Sequence, residues 1–459
     1  EIRIDVFQLD VPTISIADAD KGFKVLQGSE LTITPIVDSF LETSYSWQIN
    51  GEDISNELTC TLPTIELGEY QVRFATHNED GDDEVTFKVE VCSPDQVDFN
   101  WTFLQTEYNM SAGRTIRIKP VDVNNALDAV YTWTVDNEQV QSGENDTYLF
   151  TSEQQGEHTV KVEMKNSYIL ATQTLKVNVC PPAGTYQRKI SATSSASMNK
   201  VYEYLPAPGQ FINENHNTTT MAEACTYAEE RINQTAYVSL GGFGGYIIVG
   251  FDHSIVNDGD YNIAITGNAF DGSSEPGIVW VMQDENGDGL PNDTWYELRG
   301  SEYGKAETWQ DYAVTYHKPT GIQLPTPWTD NHGQSGSIDY LGAFHRQDYY
   351  YPAWVKEKQY TLRGTRLKER NYDQSGNGTY WVNDSYEWGY ADNFSAIDRL
   401  TDDDNYNAGP SDNHFKISHA VTFDGKDANL KYVDFIKVQV GVNSCLLYTS
   451  PSPRDTERS

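Results

Sequence analysis

The sequence is short of basic residues, methionine, cysteine and long apolar runs. Its 459 residues include 32 Lys and Arg against 68 Asp and Glu, which gives a formal net charge of −36. Nucleic acids and anionic membranes are recognised through basic patches, so this balance argues against both as partners. No run approaches the roughly 18 consecutive apolar residues of a transmembrane helix. We therefore expect no transmembrane segment and, at most, a lipid anchor.

Catalytic and metal-binding signatures are also scarce. The cysteines form no Cys-x-x-Cys pair, and their odd number gives neither a zinc site nor a clear disulfide framework. They are Cys60, Cys92, Cys180, Cys225 and Cys445. His-Glu-x-x-His, closely paired His and Gly-x-Ser-x-Gly motifs are absent, and Asp and Glu are so common that no glycosidase-like pair stands out. We predict that the protein is not an enzyme.

The chain is rich in aromatic residues and short alternating runs. It contains 29 Tyr, 17 Phe and 10 Trp, together with many turns of Gly, Asn and Asp. This combination is typical of an all-β extracellular protein, and the length is enough for two to four domains. No signal peptide is present, and residues 1–7 already alternate like a strand. We expect secretion through a signal peptide that is missing from this chain.

Two stretches of the first 180 residues repeat each other. A Tyr-x-Trp strand ending at Trp47 returns at Trp133, 86 residues later. Such a period with alternating strands predicts two tandem immunoglobulin-like sandwiches, residues 10–92 and 93–180, with residues 1–9 as the end of a preceding segment. We expect both Trp side chains to fill the cores, and we assign these two domains a spacer role.

Each Tyr-x-Trp strand is followed by a turn signal, Asn50-Gly51 in the first unit and Asp136-Asn137 in the second. Dipeptides of this kind favour two-residue hairpin turns. Cys92 and Cys180 end equivalent last strands and are not each other's obvious partners.

Composition changes after a linker at 181–186, where Gly, Asn, Trp and Tyr become more frequent. A helix pattern at 219–232 is followed by short strands separated by Gly, Asn and Asp turns. This pattern predicts one large β-sandwich of jelly-roll type over residues 181–444. Residues 445–459 resemble translated adapter sequence at the end of a metagenomic gene prediction, so we interpret them as foreign; a disordered tail is the alternative.

Residues 284–293 read Asp-Glu-Asn-Gly-Asp-Gly-Leu-Pro-Asn-Asp and join two strand patterns. A cation such as Ca²⁺ takes roughly six to eight oxygens, which alternating Asp and Asn around a tight Gly turn can supply. Position twelve is Trp295, not the Glu of an EF-hand, and no helix pattern flanks the loop. The alternative is an acidic hairpin turn that binds nothing. We predict a structural Ca²⁺ site with the ligands Asp284, Asn286, Asp288, Leu290 (main-chain carbonyl) and Asp293.

A second candidate site is a crowd of aromatic residues in the C-terminal domain. Strand alternation cannot bury three consecutive tyrosines on one face, so at least one of 349–351 should point outward or into a cleft. Exposed aromatic platforms suit the flat apolar faces of sugars or of a corrin ring. Ordinary packing in a large sandwich is the alternative. The predicted ligand-binding residues are Tyr349, Tyr350, Tyr351, Trp354, Trp381, Trp388 and Tyr390.

Several segments resemble known bacterial families. The two Tyr-x-Trp units, each followed by a Gly-Glu strand, are similar to the PKD-like domains of bacterial surface proteins. The cell surface protein family of gut Bacteroidetes carries such domains and includes vitamin B12-binding lipoproteins of the BtuH type. This chain resembles that family over residues 10–444, most clearly at 202–212, 240–246, 250–254, 267–270, 274–278, 284–293, 388–392 and 434–438. The resemblance implies capture of a ligand rather than catalysis.

These observations lead to one functional expectation and two alternatives. The resemblance implies a lipoprotein on the extracellular face of the outer membrane that captures a corrinoid, cobalamin (vitamin B12), for delivery to an outer-membrane transporter. Aromatic loops together with calcium also suit a calcium-dependent glycan-binding surface protein. The third reading is a purely structural adhesion module, since all three use the same scaffold.

Overall fold

The computed structural model describes residues 9–443, apart from residues 18, 94–98, 125, 127, 167–168, 215, 235, 377–379 and 401–410. Three domains follow one another along this part of the chain, and strands dominate each of them. The strand-like opening at 1–7 and the proposed foreign tail at 445–459, with Cys445, lie outside the described residues. The all-β fold class predicted from the sequence is confirmed.

The first domain is an immunoglobulin-like sandwich. Its strands are β1 (Thr13–Ser15), β2 (Phe23–Leu26), β3 (Leu31–Ile33), β4 (Ile36–Asp38), β5 (Ser44–Ile49), β6 (Glu52–Ser55), β7 (Cys60–Leu62), β8 (Gly68–Asn78) and β9 (Gly81–Cys92). One sheet has the order β2-β9-β8-β5-β6, with β2 parallel to β9. The pairs β1-β4 and β3-β7 pack against it across a shared apolar core.

The second domain repeats this arrangement strand for strand. Its strands are β10 (Thr102–Phe103), β11 (Glu107–Ser111), β12 (Thr115–Ile118), β13 (Pro120–Val121), β14 (Val130–Val135), β15 (Glu138–Gly143), β16 (Tyr148–Thr151), β17 (Gly156–Lys165) and β18 (Leu170–Cys180). The sheet order is β11-β18-β17-β14-β15, with β11 parallel to β18, and the pairs are β10-β13 and β12-β16. The repeat predicted from the sequence is therefore a repeat of topology as well.

The predicted hairpin turns join β5 to β6 and β14 to β15. The backbone is left-handed at their first residues, with φ of 51° at Asn50 and 49° at Asp136. Each side-chain Oδ1 accepts a main-chain N–H from the neighbouring strand at 2.9 Å, from Gln71 and Thr159 respectively. Asn and Asp suit these positions because their short polar side chains tolerate a positive φ and bond locally.

The two tryptophans of the repeat fill the cores, as predicted. Trp47 and Trp133 both have 0% of their surface exposed. The Trp47 ring centre lies 4.6 Å from that of Phe74, and its Nε1 donates to the Glu57 carbonyl at 2.9 Å. The described cysteines are all free thiols, namely Cys60, Cys92, Cys180 and Cys225.

The third domain contains the larger sheets. Its strands are β19 (Lys200–Leu205), β20 (Tyr246–Val256), β21 (Ile263–Gly267), β22 (Gly277–Met282), β23 (Trp295–Leu298), β24 (Trp309–His317), β25 (Thr326–Asp330), β26 (Ser335–Ile338), β27 (Gln359–Arg366), β28 (Asn371–Asp373), β29 (Trp381–Asn383), β30 (Ser411–Phe415), β31 (Ala420–Val421) and β32 (Tyr432–Val440). The main sheet has the order β19-β20-β32-β22-β23-β31, and a second sheet has the order β26-β25-β24-β27. The last strand of the described residues, β32, thus lies in the middle of the main sheet.

Helix α1 (Met221–Asn233) packs beside β19, close to the predicted span. Thr220 accepts the N–H of Glu223, whose carboxylate bonds back to the Thr220 N–H, so the helix begins in a capping box. Ala224 and Ala228 are the buried residues on its inner face. They join the apolar core that β19, β20 and the second sheet share.

Candidate functional site

The acidic loop 284–293 connects β22 to β23, which pair antiparallel. Asp284, at its start, accepts the main-chain N–H groups of Gly287 at 2.7 Å and Gly289 at 3.1 Å. The backbone φ is 79° at Gly287 and 74° at Gly289, a left-handed conformation that favours glycine. The loop therefore curls around its first carboxylate.

The Asp288 carboxylate accepts hydrogen bonds from the middle of the loop. It accepts the side-chain amides of Asn286 at 2.9 Å and Asn292 at 2.8 Å, and the N–H of Leu290 at 2.7 Å. In the described residues no three or more His, Cys, Asp or Glu side chains are grouped in a way that could hold a metal. A cation in this loop would thus need amide and main-chain oxygens as well as carboxylates.

Asp293 closes the loop in a buried position, with 3% of its surface exposed. Its Oδ2 accepts the N–H of Glu285 at 3.0 Å, whereas its buried Oδ1 has no hydrogen-bond partner in the described part of the chain. Burial, together with the charges of Glu285 and Asp284, raises the pKa of Asp293 to about 8. Burial also raises the pKa of Asp284. Because uncompensated buried carboxylates are costly, a cation here would be favourable.

Glu285 links the same loop to the second domain. Its carboxylate accepts the N–H of Ser111 at 3.2 Å and lies 3.2 Å from Nε of Arg114. The Arg114 guanidinium also donates to Gln283 at 3.1 Å and to the Ala428 carbonyl at 3.3 Å. The acidic loop is therefore part of the joint between the second and third domains.

Four of the seven predicted aromatic ligand residues are core residues, so the prediction that they form an exposed platform is wrong. Tyr350 and Tyr351 are 1% exposed, Tyr390 2% and Trp354 6%. The Tyr350 hydroxyl donates to the His345 carbonyl at 3.0 Å. Residues 349–355 lie in turns rather than in a strand, so consecutive side chains need not alternate between two faces.

The other three predicted residues, Tyr349, Trp381 and Trp388, are half-buried. The Tyr349 ring centre lies 5.7 Å from Nζ of Lys318, and the Trp388 ring packs 5.1 Å from that of His419. Their ligand role stays a prediction.

One row of side chains on the main sheet was missed by sequence reasoning. Lys437, in the central strand β32, lies opposite Ile248 of β20 and Trp280 of β22. Ile248 in turn pairs with Glu203, and Trp280 pairs with Glu297. Directly paired residues point to the same face, so a lysine stands in the middle of a row that ends in a carboxylate on each side.

Three half-buried aromatic rings surround the Lys437 ammonium. Its Nζ lies 4.8 Å from the ring centre of Trp280, 5.0 Å from that of Trp295 and 5.9 Å from that of Tyr246. Lys437 is itself half-buried, and this burial lowers its pKa to about 8. The face can therefore offer flat apolar surfaces around one positive charge. We name this set of Lys437, Tyr246, Trp280 and Trp295 the Lys437 face.

The two carboxylates of the row already have hydrogen-bond donors. Glu203 accepts from the Tyr246 hydroxyl at 2.7 Å, and Glu297 accepts from Thr365 Oγ1 at 2.5 Å. Burial raises the pKa of Glu297 to about 7. Neither carboxylate forms an ion pair with Lys437 in the described residues.

Comparison with known proteins identifies the first two sandwiches. Residues 11–78 and 103–166 match the model of the PKD-like domain family. These stretches fall inside the first and second domains, so the chain carries two PKD-like domains. None of the helices in the described ranges combines the length and the apolar character needed to cross a bilayer. No curated protein matches the chain.

The chain is also similar to solved structures of β-sandwich modules. The fibronectin(III)-like modules of Clostridium thermocellum CbhA are 16% identical, with a TM-score of 0.20 over 39% of this chain and 100% of that one. A chimeric titin Z1Z2 is 20% identical, with a TM-score of 0.23 over 38% and 98%. The Ig1-2 module of the Drosophila receptor protein tyrosine phosphatase DLAR is 12% identical, with a TM-score of 0.19 over 37% and 97%.

Proposed function

We propose that this protein, which carries two PKD-like domains, is a surface-exposed binding protein whose third domain captures a ligand. The Lys437 face is the observation that supports the proposal. Half-buried aromatic rings around one polar group in a fixed position are typical of ligand sites. A lysine that is withdrawn from water, by contrast, usually forms an ion pair with a carboxylate of the protein. The PKD-like domains then act as spacers that hold the third domain away from the bacterial surface.

A corrinoid is the first ligand that we propose. The resemblance to surface vitamin B12-binding lipoproteins supports this choice, and a broad corrin ring suits aromatic side chains. Delivery to an outer-membrane transporter and a lipid anchor belong to the same proposal. A glycan is the second candidate, because sugar rings stack on Trp and sugar hydroxyls accept hydrogen bonds from an ammonium.

We further propose that the acidic loop binds Ca²⁺ in a structural role. The carboxylates of Asp284, Asp288 and Asp293, the Asn286 amide oxygen and the Leu290 carbonyl are oxygen donors of the kind that Ca²⁺ prefers. The partnerless buried Oδ1 of Asp293 supports this proposal. The ion would offset part of the negative charge of the loop.

Cyanocobalamin provides the first test of ligand capture. The full chain is incubated with it and desalted, and co-elution of the cobalamin absorbance with the protein is expected. Trp280→Ala should weaken binding about tenfold or more, since removal of an aromatic anchor costs roughly 1–3 kcal/mol. Trp328→Ala is the control, because Trp328 is also half-buried but lies in β25 of the second sheet, outside the Lys437 face.

A parallel arm uses neutral and acidic oligosaccharides in equilibrium dialysis. Retention of an oligosaccharide but not of cobalamin would move the proposal to the glycan class. Retention of neither ligand class would contradict ligand capture. A purely structural adhesion module would then be the remaining function.

A further inference from the structure

The Lys437 ammonium has three N–H donors, and none of the described residues accepts a hydrogen bond from them. Within the described residues, its interactions are with the rings of Trp280, Trp295 and Tyr246. The carboxylates at the ends of its row are engaged by Thr365 and Tyr246 instead. An ammonium partly withdrawn from water without a directly bonded counter-ion is unfavourable, and ring faces offset only part of that cost.

We infer that the Lys437 face binds a ligand that carries a carboxylate or phosphate group on a broad ring system. The anionic group would accept from Nζ of Lys437, while the ring lies against Trp280 and Trp295. This inference rests on the proposed function and names the chemistry of the ligand. A corrinoid with its phosphodiester and an oligosaccharide of uronic acids share that chemistry.

The charged groups that face Lys437 set the pH range of such binding. Glu203 approaches from β19 and Glu297 from β23, and both attract the ammonium. The other neighbours in the row and on β20 and β22 are Ile248, Tyr246 and Trp280, which carry no charge at neutral pH. An incoming anion must therefore compete with two carboxylates.

Binding of an anion should weaken as the pH rises through 7 and 8. Burial raises the pKa of Glu297 to about 7, so this carboxylate is partly neutral at neutral pH and becomes repulsive above it. Burial lowers the pKa of Lys437 to about 8, so the positive charge that attracts the anion is lost as the pH rises through this value. Both changes act in the same direction.

The experiment compares two matched pairs of probes on the full chain by equilibrium dialysis. Cyanocobalamin carries a nucleotide loop with a phosphodiester, which cobinamide lacks as a whole, and an oligogalacturonate carries carboxylates that a galacto-oligosaccharide of equal length lacks. In one pair we expect the member with the anionic group to bind about tenfold or more tightly than its partner. Which pair responds distinguishes a corrinoid from a glycan.

Lys437→Met should remove this preference. Lys200→Met is the matched control and should retain the preference, because Lys200 also lies over a ring, 4.2 Å from that of Tyr202, but is exposed at the edge strand. Lys437→Arg should keep the preference and extend it above pH 8, since guanidinium stays charged. The melting temperature of each variant at pH 7 reports whether it is folded. If Lys437→Met does not fold, the pH profile of Lys437→Arg decides whether this side chain provides the preference for the anionic probe.

The outcomes separate the two levels of the proposal. Equal binding of acidic and neutral members, unchanged in Lys437→Met, would overturn the inference while ligand capture stands. Binding of none of the four probes to the wild-type chain would overturn ligand capture and the inference together.

Discussion

Replacing Trp354 by Ala should lower the free energy of unfolding of the third domain by about 3–5 kcal/mol, with the affinity per folded molecule unchanged. The indole is 6% exposed, and its ring centre lies 5.5 Å from that of Tyr204. Its Nε1 donates to the Tyr204 carbonyl at 3.1 Å, so the substitution leaves both a cavity and an unpaired buried acceptor. Urea unfolding and ligand dialysis on the same variant separate stability from affinity.

Tyr349→Ala is the matched control for this prediction. Its ring belongs to the same turn but is half-buried and contacts Lys318. We expect a change of about 1 kcal/mol or less in its free energy of unfolding. A Trp354→Ala protein with wild-type stability and lost affinity would restore this aromatic segment as a binding surface.

Removal of calcium with EDTA should destabilise the protein by about 2–4 kcal/mol relative to the calcium-saturated form, because an ion that binds only the native state stabilises it by mass action. Asp288→Ala should abolish the difference, since it removes one of the three carboxylates that we propose as calcium ligands. Scanning calorimetry with and without EDTA measures both effects. Identical melting curves for the wild-type chain would remove the calcium proposal.

Asp258→Ala serves as the control for the acidic loop. Asp258 is exposed and accepts the N–H of Asp260 at 3.1 Å in a separate acidic turn. It lacks the buried, partnerless carboxylate oxygen that characterises the loop at 284–293. We expect this variant to keep the full response to EDTA.

The metal-free protein should become less stable as the pH rises from about 4 to about 8. The pKa of Asp293 is raised from 3.8 to about 8 in the folded state. Between these values the folded state holds a proton that the unfolded state has released, so linkage makes stability fall with rising pH. Calcium binds the anion, so the gap in melting temperature between calcium and EDTA should be widest near pH 8. A gap that narrows between pH 5 and pH 8 would contradict this assignment.

Features that depend on neighbouring residues could be predicted from the sequence. The two hairpin turns follow from dipeptides that tolerate a positive φ, and Trp47 and Trp133 are placed in the cores by alternation within one strand. The acidic loop is likewise contained in ten consecutive residues. In each case the deciding interactions are close in the chain.

The Lys437 face could not be predicted in this way. Alternation shows that β32 is a strand, but not that it lies between β20 and β22, which come much earlier in the chain. Without that register, Lys437 is one of two charged residues in a largely apolar strand, the other being Asp434. The prediction for residues 349–355 was wrong for another reason. The alternation of side chains between two faces holds for strands, but this segment forms turns.

The stiffness of the joint between the second and third domains should depend on calcium. Asp284 turns its carboxylate into the acidic loop, whereas its neighbour Glu285 holds Ser111 and Arg114 of the second domain. We expect the joint between these two domains to be rigid in a calcium-containing medium. Without calcium, we expect the two domains to move independently of each other. Pulling the chain from both ends with a force probe should show a separate rupture of this joint with calcium and none with EDTA. Traces that do not differ would show that tension passes through the joint independently of the ion.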